Sequence, residues 1–170
     1  MKKEKNRNVL TVLLRLTGIL LLTVCMIFPL GILIPKLFGI TSYAVISPSM
    51  EPSIPVGSLV FSKETDPSLV EEGDVITFYA NEMAATSTTH RVIENDREKR
   101  QFITKGDAND IEDIQPIPYL LFLGKTVYVL EKAGWIALFL SEIRGKIVFA
   151  IAFLLGVFAV EAAEYFEKRS

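Results

Sequence analysis

Cysteine and histidine are almost absent from this 170-residue sequence, which contains one of each, Cys25 and His90. A single cysteine excludes an intramolecular disulfide, and Cys25 lies inside an apolar run, so we expect it to be an apolar filler of a helix. One histidine with no cysteine near it offers too few soft ligands for a zinc site. We therefore expect neither a disulfide framework nor a bound metal.

An excess of positive charge is also missing. The sequence has 18 Lys and Arg against 20 Asp and Glu, a net charge of −2. No basic face is available to neutralise phosphates, which argues against a nucleic-acid partner. Neither the GxGxxG nor the GxxxxGKT type of phosphate loop is present. We expect a function without a cofactor.

What the sequence does have is apolar residues, and these are concentrated at its two ends. Half of all residues are hydrophobic and the mean hydropathy is +0.36, high for a soluble domain. Residues 1–15 form a basic leader, and residues 16–40 carry one charge, Lys36. Because about 20 apolar residues span a bilayer, residues 16–40 are predicted to be a transmembrane helix with the N-terminus in the cytoplasm.

A cleaved secretory signal is the alternative for this first run. The run is longer than the apolar region of a signal peptide, which has about 7–15 residues. No clean small-x-small cleavage site follows it in the sequence. An uncleaved anchor is therefore favoured.

The C-terminal apolar run is shorter. Residues 147–160 carry no charge, and extending the run to 147–166 admits two glutamates. This helix is predicted to be a second span, with a surface helix as the alternative. Residues 133–146 are predicted to be an amphipathic, interfacial segment, and residues 167–170 a tail.

The central region, residues 41–132, has the pattern of a β domain. Short stretches of β-branched and aromatic residues alternate with Gly-, Pro- and Asp-containing turns. Strands are predicted at 58–62, 74–79, 88–94, 101–105 and 124–130, the third and fourth forming a hairpin. The expected fold is mostly β, a small antiparallel barrel or sandwich between the two apolar helices.

Three side chains of this region suggest hydrolytic chemistry. A serine hydroxyl, here Ser49 in a Pro-punctuated loop after the first apolar run, is a poor nucleophile until a base takes its proton. Histidine suits that task, and the chain offers only His90. A carboxylate from the loop 106–113 could fix the ring tautomer. On these residues alone, an ordinary polar loop and an ordinary strand histidine remain alternatives.

Four sequence boxes, in a fixed order behind the anchor, resemble type I signal peptidases. They are SPSMEP at 47–52, GDVITFY at 73–79, THRVIE at 89–94 and FITKGDANDIED at 102–113. In the usual bacterial enzymes a lysine precedes the Arg-Val of the third box. Here His90 occupies that position, so the sequence resembles the endoplasmic-reticulum and archaeal sub-type, also found in some Gram-positive bacteria, which uses Ser, His and Asp.

The resemblance implies roles for particular residues. Ser49 would be the nucleophile and His90 the general base, with Asp113 ranked above Asp107 as the partner of the imidazole. Asp107 would then organise the site. The hydroxyl of Ser47 and the backbone N–H of Ser49 would form an oxyanion hole. The residues expected to line the substrate pockets are Val45, Ile46, Met50, Val56 and Leu59.

The implied function is removal of N-terminal signal peptides from secreted preproteins at the outer face of the cell membrane. The implied partners are such preproteins and the lipid bilayer, with room for an accessory membrane subunit. One alternative is a membrane-tethered β domain that binds extended polypeptides or a partner subunit without cutting them. Another is a Ser-Lys protease of the self-cleaving repressor kind. If a Ser-Lys dyad were at work, Lys105 and Lys63 would be the residues to consider as its base.

Overall fold

The computed structural model describes the backbone of residues 2–169 and the side chains of residues 9–169. The chain forms two compact units. One unit comprises Met1–Leu33 with Phe139–Ser170, and the other comprises Ile34–Leu138.

The first unit contains most of the long apolar helix α1 (Lys2–Lys36) and all of the long apolar helix α3 (Ile143–Lys168). Within them, Val9–Lys36 and Ile143–Lys168 have mean hydropathies of 2.5 and 2.2 and are long and apolar enough to cross a membrane. Each is about 40 Å long at 1.5 Å per residue, against a hydrocarbon core of about 30 Å. The predicted leader is thus helical from Lys2, and the helix ends four residues before the predicted boundary at Ile40.

Small residues bring α1 and α3 together in an antiparallel pair. A Cβ added to Gly18 would lie 2.8 Å from the carbonyl oxygen of Gly156 and 2.8 Å from Cγ2 of Val160. Nearer the N-terminus of α1, Arg15 forms an ion pair with Glu167. Close backbone approach at small residues is a common way for apolar helices to associate where no hydrophobic effect operates between them.

The second unit contains a curled antiparallel half-barrel of seven strands. The strands are β1 (Ile40–Ala44), β2 (Leu59–Lys63), β3 (Val75–Tyr79), β4 (Ser87–Asp96), β5 (Gln101–Lys105), β6 (Ile117–Pro118) and β7 (Phe122–Leu130). Their order in the sheet is β1-β2-β7-β3-β4-β5-β6. The predicted fold class is confirmed, since the region between the long helices is mostly strand and each pairing is antiparallel.

Two apolar clusters stabilise this sheet. The larger one contains Val70, Ile76, Phe78, Val92, Phe102, Ile117 and Tyr119. The smaller one contains Met50, Ile54 and Val60. Met50 is 1% exposed and packs in this smaller cluster. It thereby anchors the turn that carries Ser49.

Two strands and one helix differ from the prediction. The sequence pattern places Ile40 of β1 in the transmembrane helix, and the two-residue β6 is too short to show an alternation. The segment 133–146 is divided between α2 (Ala133–Ser141) and the start of α3. Ser141 is the only polar residue of α2, so this helix is apolar on all sides rather than amphipathic.

Candidate active site

Ser49 lies in a short 3-10 turn, Pro48–Met50, that follows β1. The hydroxyl oxygens of Ser47 and Ser49 are 3.2 Å apart. The turn is closed by the Glu51 N–H, which donates to the Pro48 carbonyl over 3.0 Å. Pro48 has no N–H and begins the turn with its φ already fixed. The two groups expected to bind an oxyanion thus belong to one tight turn.

The loop after β5 holds the Ser49 turn from the other side. The Ala108 N–H donates to the Ser49 carbonyl over 2.9 Å. A Cβ added to Gly106 would lie 2.5 Å from that same carbonyl oxygen, a distance that real Cβ atoms do not adopt. Glycine is therefore required at 106 for the loop to approach the backbone of Ser49.

His90 is a buried residue of β4, opposite Ile76 of β3 in the sheet. Its ring stands edge-on to Phe78, with the ring centroids 6.1 Å apart. Its Nδ1 atom lies 2.7 Å from Oδ2 of Asp113. An ionised carboxylate can only accept, so a bond to ionised Asp113 requires the proton on Nδ1, and Nε2 of a neutral ring is then an acceptor.

The carboxylate of Asp113 has a second donor. The Thr104 hydroxyl donates to the same Oδ2 atom over 2.6 Å. The Asp113 N–H in turn donates to the Thr104 carbonyl over 2.8 Å. The structure thus brings His90, Asp113 and Thr104 together at one oxygen atom.

Asp107 has a different partner. Arg91 donates to its two carboxylate oxygens from Nε and Nη2, over 2.8 and 2.6 Å, and from Nη1 to the Gly73 carbonyl over 2.8 Å. These hydrogen bonds to Arg91 outweigh the effect of burial and hold the pKa of Asp107 below its usual value. The same pairing raises the pKa of Arg91. Of the two carboxylates, Asp113 contacts the imidazole and Asp107 contacts a guanidinium.

A cleft of about 210 Å³ lies beside Ser49. Its lining residues are Tyr43, Ala44, Val45, Ile46, Ser47, Ser49, Met50 and Thr86–Thr89. The Ser49 turn contacts β4, the strand that carries His90. Among the described residues, the Ser49 hydroxyl bonds to Ser47 and not to the His90 ring. Catalytic hydrogen bonds are often longer without substrate and tighten only in its complex.

The residues expected to line substrate pockets fall into two groups. Val45, Ile46 and Met50 line the cleft. Val56, in the loop before β2, and Leu59, a β2 residue that is 3% exposed, do not line it. Of the two alternative bases, Lys63 is exposed at the end of β2, and Lys105 ends β5 opposite Arg91.

Sequence reasoning missed Arg91 and Thr104 as members of this site. Both had a signal in the sequence. Arg91 directly follows the candidate base, and Thr104 is in alternation with Phe102 on the buried face of β5. The carboxylate that Arg91 contacts and the one that Thr104 contacts are set by the path of the irregular loop 106–116. The periodicity of the sequence does not predict that path.

A half-barrel that places a serine turn beside a His-Asp pair defines a candidate serine hydrolase. No protein-family model matches the chain. The chain is similar to Signal peptidase I W of Bacillus subtilis (strain 168), with 42% identity over 86 residues, which are 49% of this chain and 44% of that protein. The chain thus matches less than half of its curated relative. The similarity supports the resemblance to type I signal peptidases.

Proposed function

We propose that this chain is a membrane-bound serine endopeptidase that removes N-terminal signal peptides from secreted preproteins. The observation that carries the proposal is the buried His90–Asp113 pair, 2.7 Å between Nδ1 and Oδ2, on the strand that contacts the Ser49 turn. The similarity to a signal peptidase supports the substrate class. Cell-membrane localisation is supported by two helices that are apolar and long enough to span a bilayer.

The chemistry is acyl transfer with Ser49 as nucleophile. The Oγ atom of Ser49 attacks the scissile carbonyl carbon while Nε2 of His90 accepts the hydroxyl proton. Asp113 stays ionised and stabilises the imidazolium through Nδ1. The developing oxyanion accepts hydrogen bonds from the Ser49 N–H and the Ser47 hydroxyl, which lies 3.2 Å from Oγ of Ser49.

His90 then reverses its role. The imidazolium gives its proton to the leaving amine as the peptide C–N bond breaks, and an acyl-enzyme on Ser49 remains. Water, deprotonated by His90, attacks the acyl carbon, and the serine oxygen leaves with the proton that His90 returns. No cofactor takes part in either step.

The cleft beside Ser49 is where we place the peptide before the cut. Ala44 ends an edge strand of the sheet, so an extended peptide could add main-chain hydrogen bonds there. Val45, Ile46 and Met50 provide apolar contacts along this cleft of about 210 Å³. Anchoring enzyme and precursor in one membrane raises their effective concentration.

The proposal is tested with the full-length chain in liposomes and several secretory precursors. We expect wild type and Lys105→Ala to cleave, and Ser49→Ala and His90→Ala to lose about 10⁴-fold or more in kcat. Ser47→Ala should lose about 10²-fold, as for removal of one oxyanion donor. Circular dichroism of each variant verifies folding.

The other outcomes are distinct. Loss of cleavage in Lys105→Ala, together with full activity of His90→Ala, would show that Lys105 and not His90 is the general base. This result would overturn the Ser-His-Asp mechanism. Absence of cleavage by wild type, combined with saturable precursor binding, would instead support the polypeptide-binding alternative.

A further inference from the structure

We infer that Thr104 is a positioning residue that fixes the carboxylate of Asp113 on the ring of His90. The inference rests on the proposed function, because it concerns the orientation of the proposed base. Nothing in the resemblance to signal peptidases assigns a role to this hydroxyl.

The first argument is the place of Asp113 in the fold. It belongs to the loop 106–116, which has no helix or strand, and its side chain is 23% exposed. Its neighbours in the loop, Ile111 and Ile114, are 71% and 92% exposed. Few packing contacts therefore restrain this carboxylate, although a base-orienting group has to be held within a fraction of an ångström.

The second argument is that Thr104 supplies the missing restraint from a rigid element. Thr104 is a residue of β5 with no exposed surface. Its carbonyl accepts from the Asp113 N–H over 2.8 Å, and its hydroxyl donates to Oδ2 over 2.6 Å. One strand residue thus holds both the backbone and the side chain of a loop residue.

The third argument is that both donors meet one oxygen. Nδ1 of His90 and the Thr104 hydroxyl both bond to Oδ2 of Asp113. A rotation of the carboxylate that releases one bond also strains the other. The directional O–H of Thr104 therefore selects the carboxylate rotamer in which Nδ1 keeps its proton and Nε2 stays free for Ser49.

The surroundings of Thr104 indicate that packing does not require its hydroxyl. In the sheet it is opposite Val92, which is 1% exposed, and it alternates with the fully buried Phe102. Valine has the shape of threonine and would suit these apolar neighbours. A hydroxyl here is explained by its bond to Asp113.

The test uses the full-length chain with Thr104→Val and Thr104→Ser. We expect Thr104→Val to lower kcat for precursor cleavage about tenfold, with little change in KM. This loss is a part of the rate enhancement of about 10²–10⁴-fold that a positioned general acid or base contributes. Thr104→Ser keeps the donor and should restore most of the rate. The matched control is Thr77→Val, which removes an equally buried hydroxyl that bonds Ser62 and Thr89.

A second readout needs no activity. Because His90 is the only histidine, ¹⁵N-histidine labelling gives NMR signals from this one ring. Wild type, Thr104→Ser and Thr77→Val should show the neutral ring protonated at Nδ1. Thr104→Val should show a mixture of the two tautomers. A purely structural role for Thr104 would change thermal stability and leave the tautomer as it is.

The results separate this inference from the proposed function. A Thr104→Val variant with wild-type kcat and an unchanged tautomer would overturn the inference while leaving the peptidase proposal intact. Failure of wild type to cleave any precursor would remove the proposed function, and the tautomer measurement would still decide the role of Thr104. If Thr104→Val does not fold, Thr104→Cys, with a weaker donor, replaces it in both measurements.

Discussion

Asp107 and Asp113 belong to one loop and form bonds of different kinds. Asp107 makes two charge-assisted hydrogen bonds to Arg91, a geometry that fixes both groups in a plane. Arg91 also reaches the Gly73 carbonyl before β3, so it connects the loop to two strands. Asp113 has its polar bonds with His90 and Thr104. The first carboxylate thus supports the loop, and the second is bonded to the imidazole of His90.

The Asp107–Arg91 pair makes stability depend on pH. The folded-state pKa of Asp107 is lowered, chiefly by its hydrogen bonds to Arg91, so the contribution is fully present above the unfolded value of about 3.9 and is lost as pH falls through the folded value. We expect Asp107→Asn to lower the free energy of unfolding by about 1–2 kcal/mol at pH 7, since Arg91 is one-third exposed. The difference from wild type should shrink below about pH 4.

Chemical denaturation at pH 7 and pH 3 measures this change, with Asp110→Asn as the control. Asp110 is an exposed carboxylate of the same loop, and its substitution should alter stability by less than about 0.5 kcal/mol at either pH. An Asp107→Asn penalty that is equal at both pH values would show that the ion pair is not its source.

At the level of single residues, the sequence indicates candidate site residues where a residue type is rare or where a residue lies in one of the four sequence boxes. Ser49 and His90 are singled out as candidates because the chain has one histidine and the serine precedes a Met-Glu-Pro turn. The sequence ranks the two possible partners of His90 without deciding between them, since Asp107 and Asp113 differ only by their place in an irregular loop. Thr104 and Arg91 were missed because their roles depend on contacts distant in sequence.

At the level of elements, alternation predicted the strands, and composition predicted the long helices. β1 is not predicted, because Ile40 falls within the predicted transmembrane helix and the four residues after it, Thr41–Ala44, are too few to show a clear alternation. The change of direction falls at Gly39, where φ is +71°, a conformation that favours glycine. The strand order β1-β2-β7-β3 cannot be predicted from the sequence pattern, because it joins residues that are far apart in the sequence. The contacts of the loop 106–116 cannot be predicted for the same reason.

The antiparallel α1–α3 pair should depend on its glycines. A Cβ at Gly156 would lie 3.0 Å from Cγ of Leu22, so the added side chain of Gly156→Ile would separate the helices. We expect a loss of about 1–3 kcal/mol, the range found for overpacking of a close contact. The measurement is unfolding of the full chain in mixed detergent micelles, followed by circular dichroism.

Gly31→Ile is the matched control for this change. Gly31 is also a glycine of an apolar helix, but a Cβ there meets no atom within 4 Å. This variant should unfold like wild type or at a higher concentration of the denaturing detergent, because isoleucine is the better helix former. Equal losses in both variants would refute a specific role for the contact at Gly156.

For the whole molecule, the helix pairing restricts how the chain can cross a membrane. If α1 and α3 both span, their antiparallel arrangement leaves the two termini on one side and residues 37–142 on the other. The basic residues before Val9 favour the cytoplasm for the termini. The candidate site would then face outward, where signal peptides emerge from translocation.

Cysteine labelling in intact cells tests this topology. In a Cys25→Ser background, a cysteine is placed at Glu98, exposed in the turn between β4 and β5, or at Lys168, 80% exposed at the end of α3. An impermeant thiol reagent should label Glu98→Cys directly and Lys168→Cys only after the membrane is opened. Direct labelling of both would mean that α3 lies on the surface. Protection of Glu98→Cys with labelling of Lys168→Cys would place Ser49 in the cytoplasm, away from any translocated precursor, and the proposed peptidase could not reach its substrate.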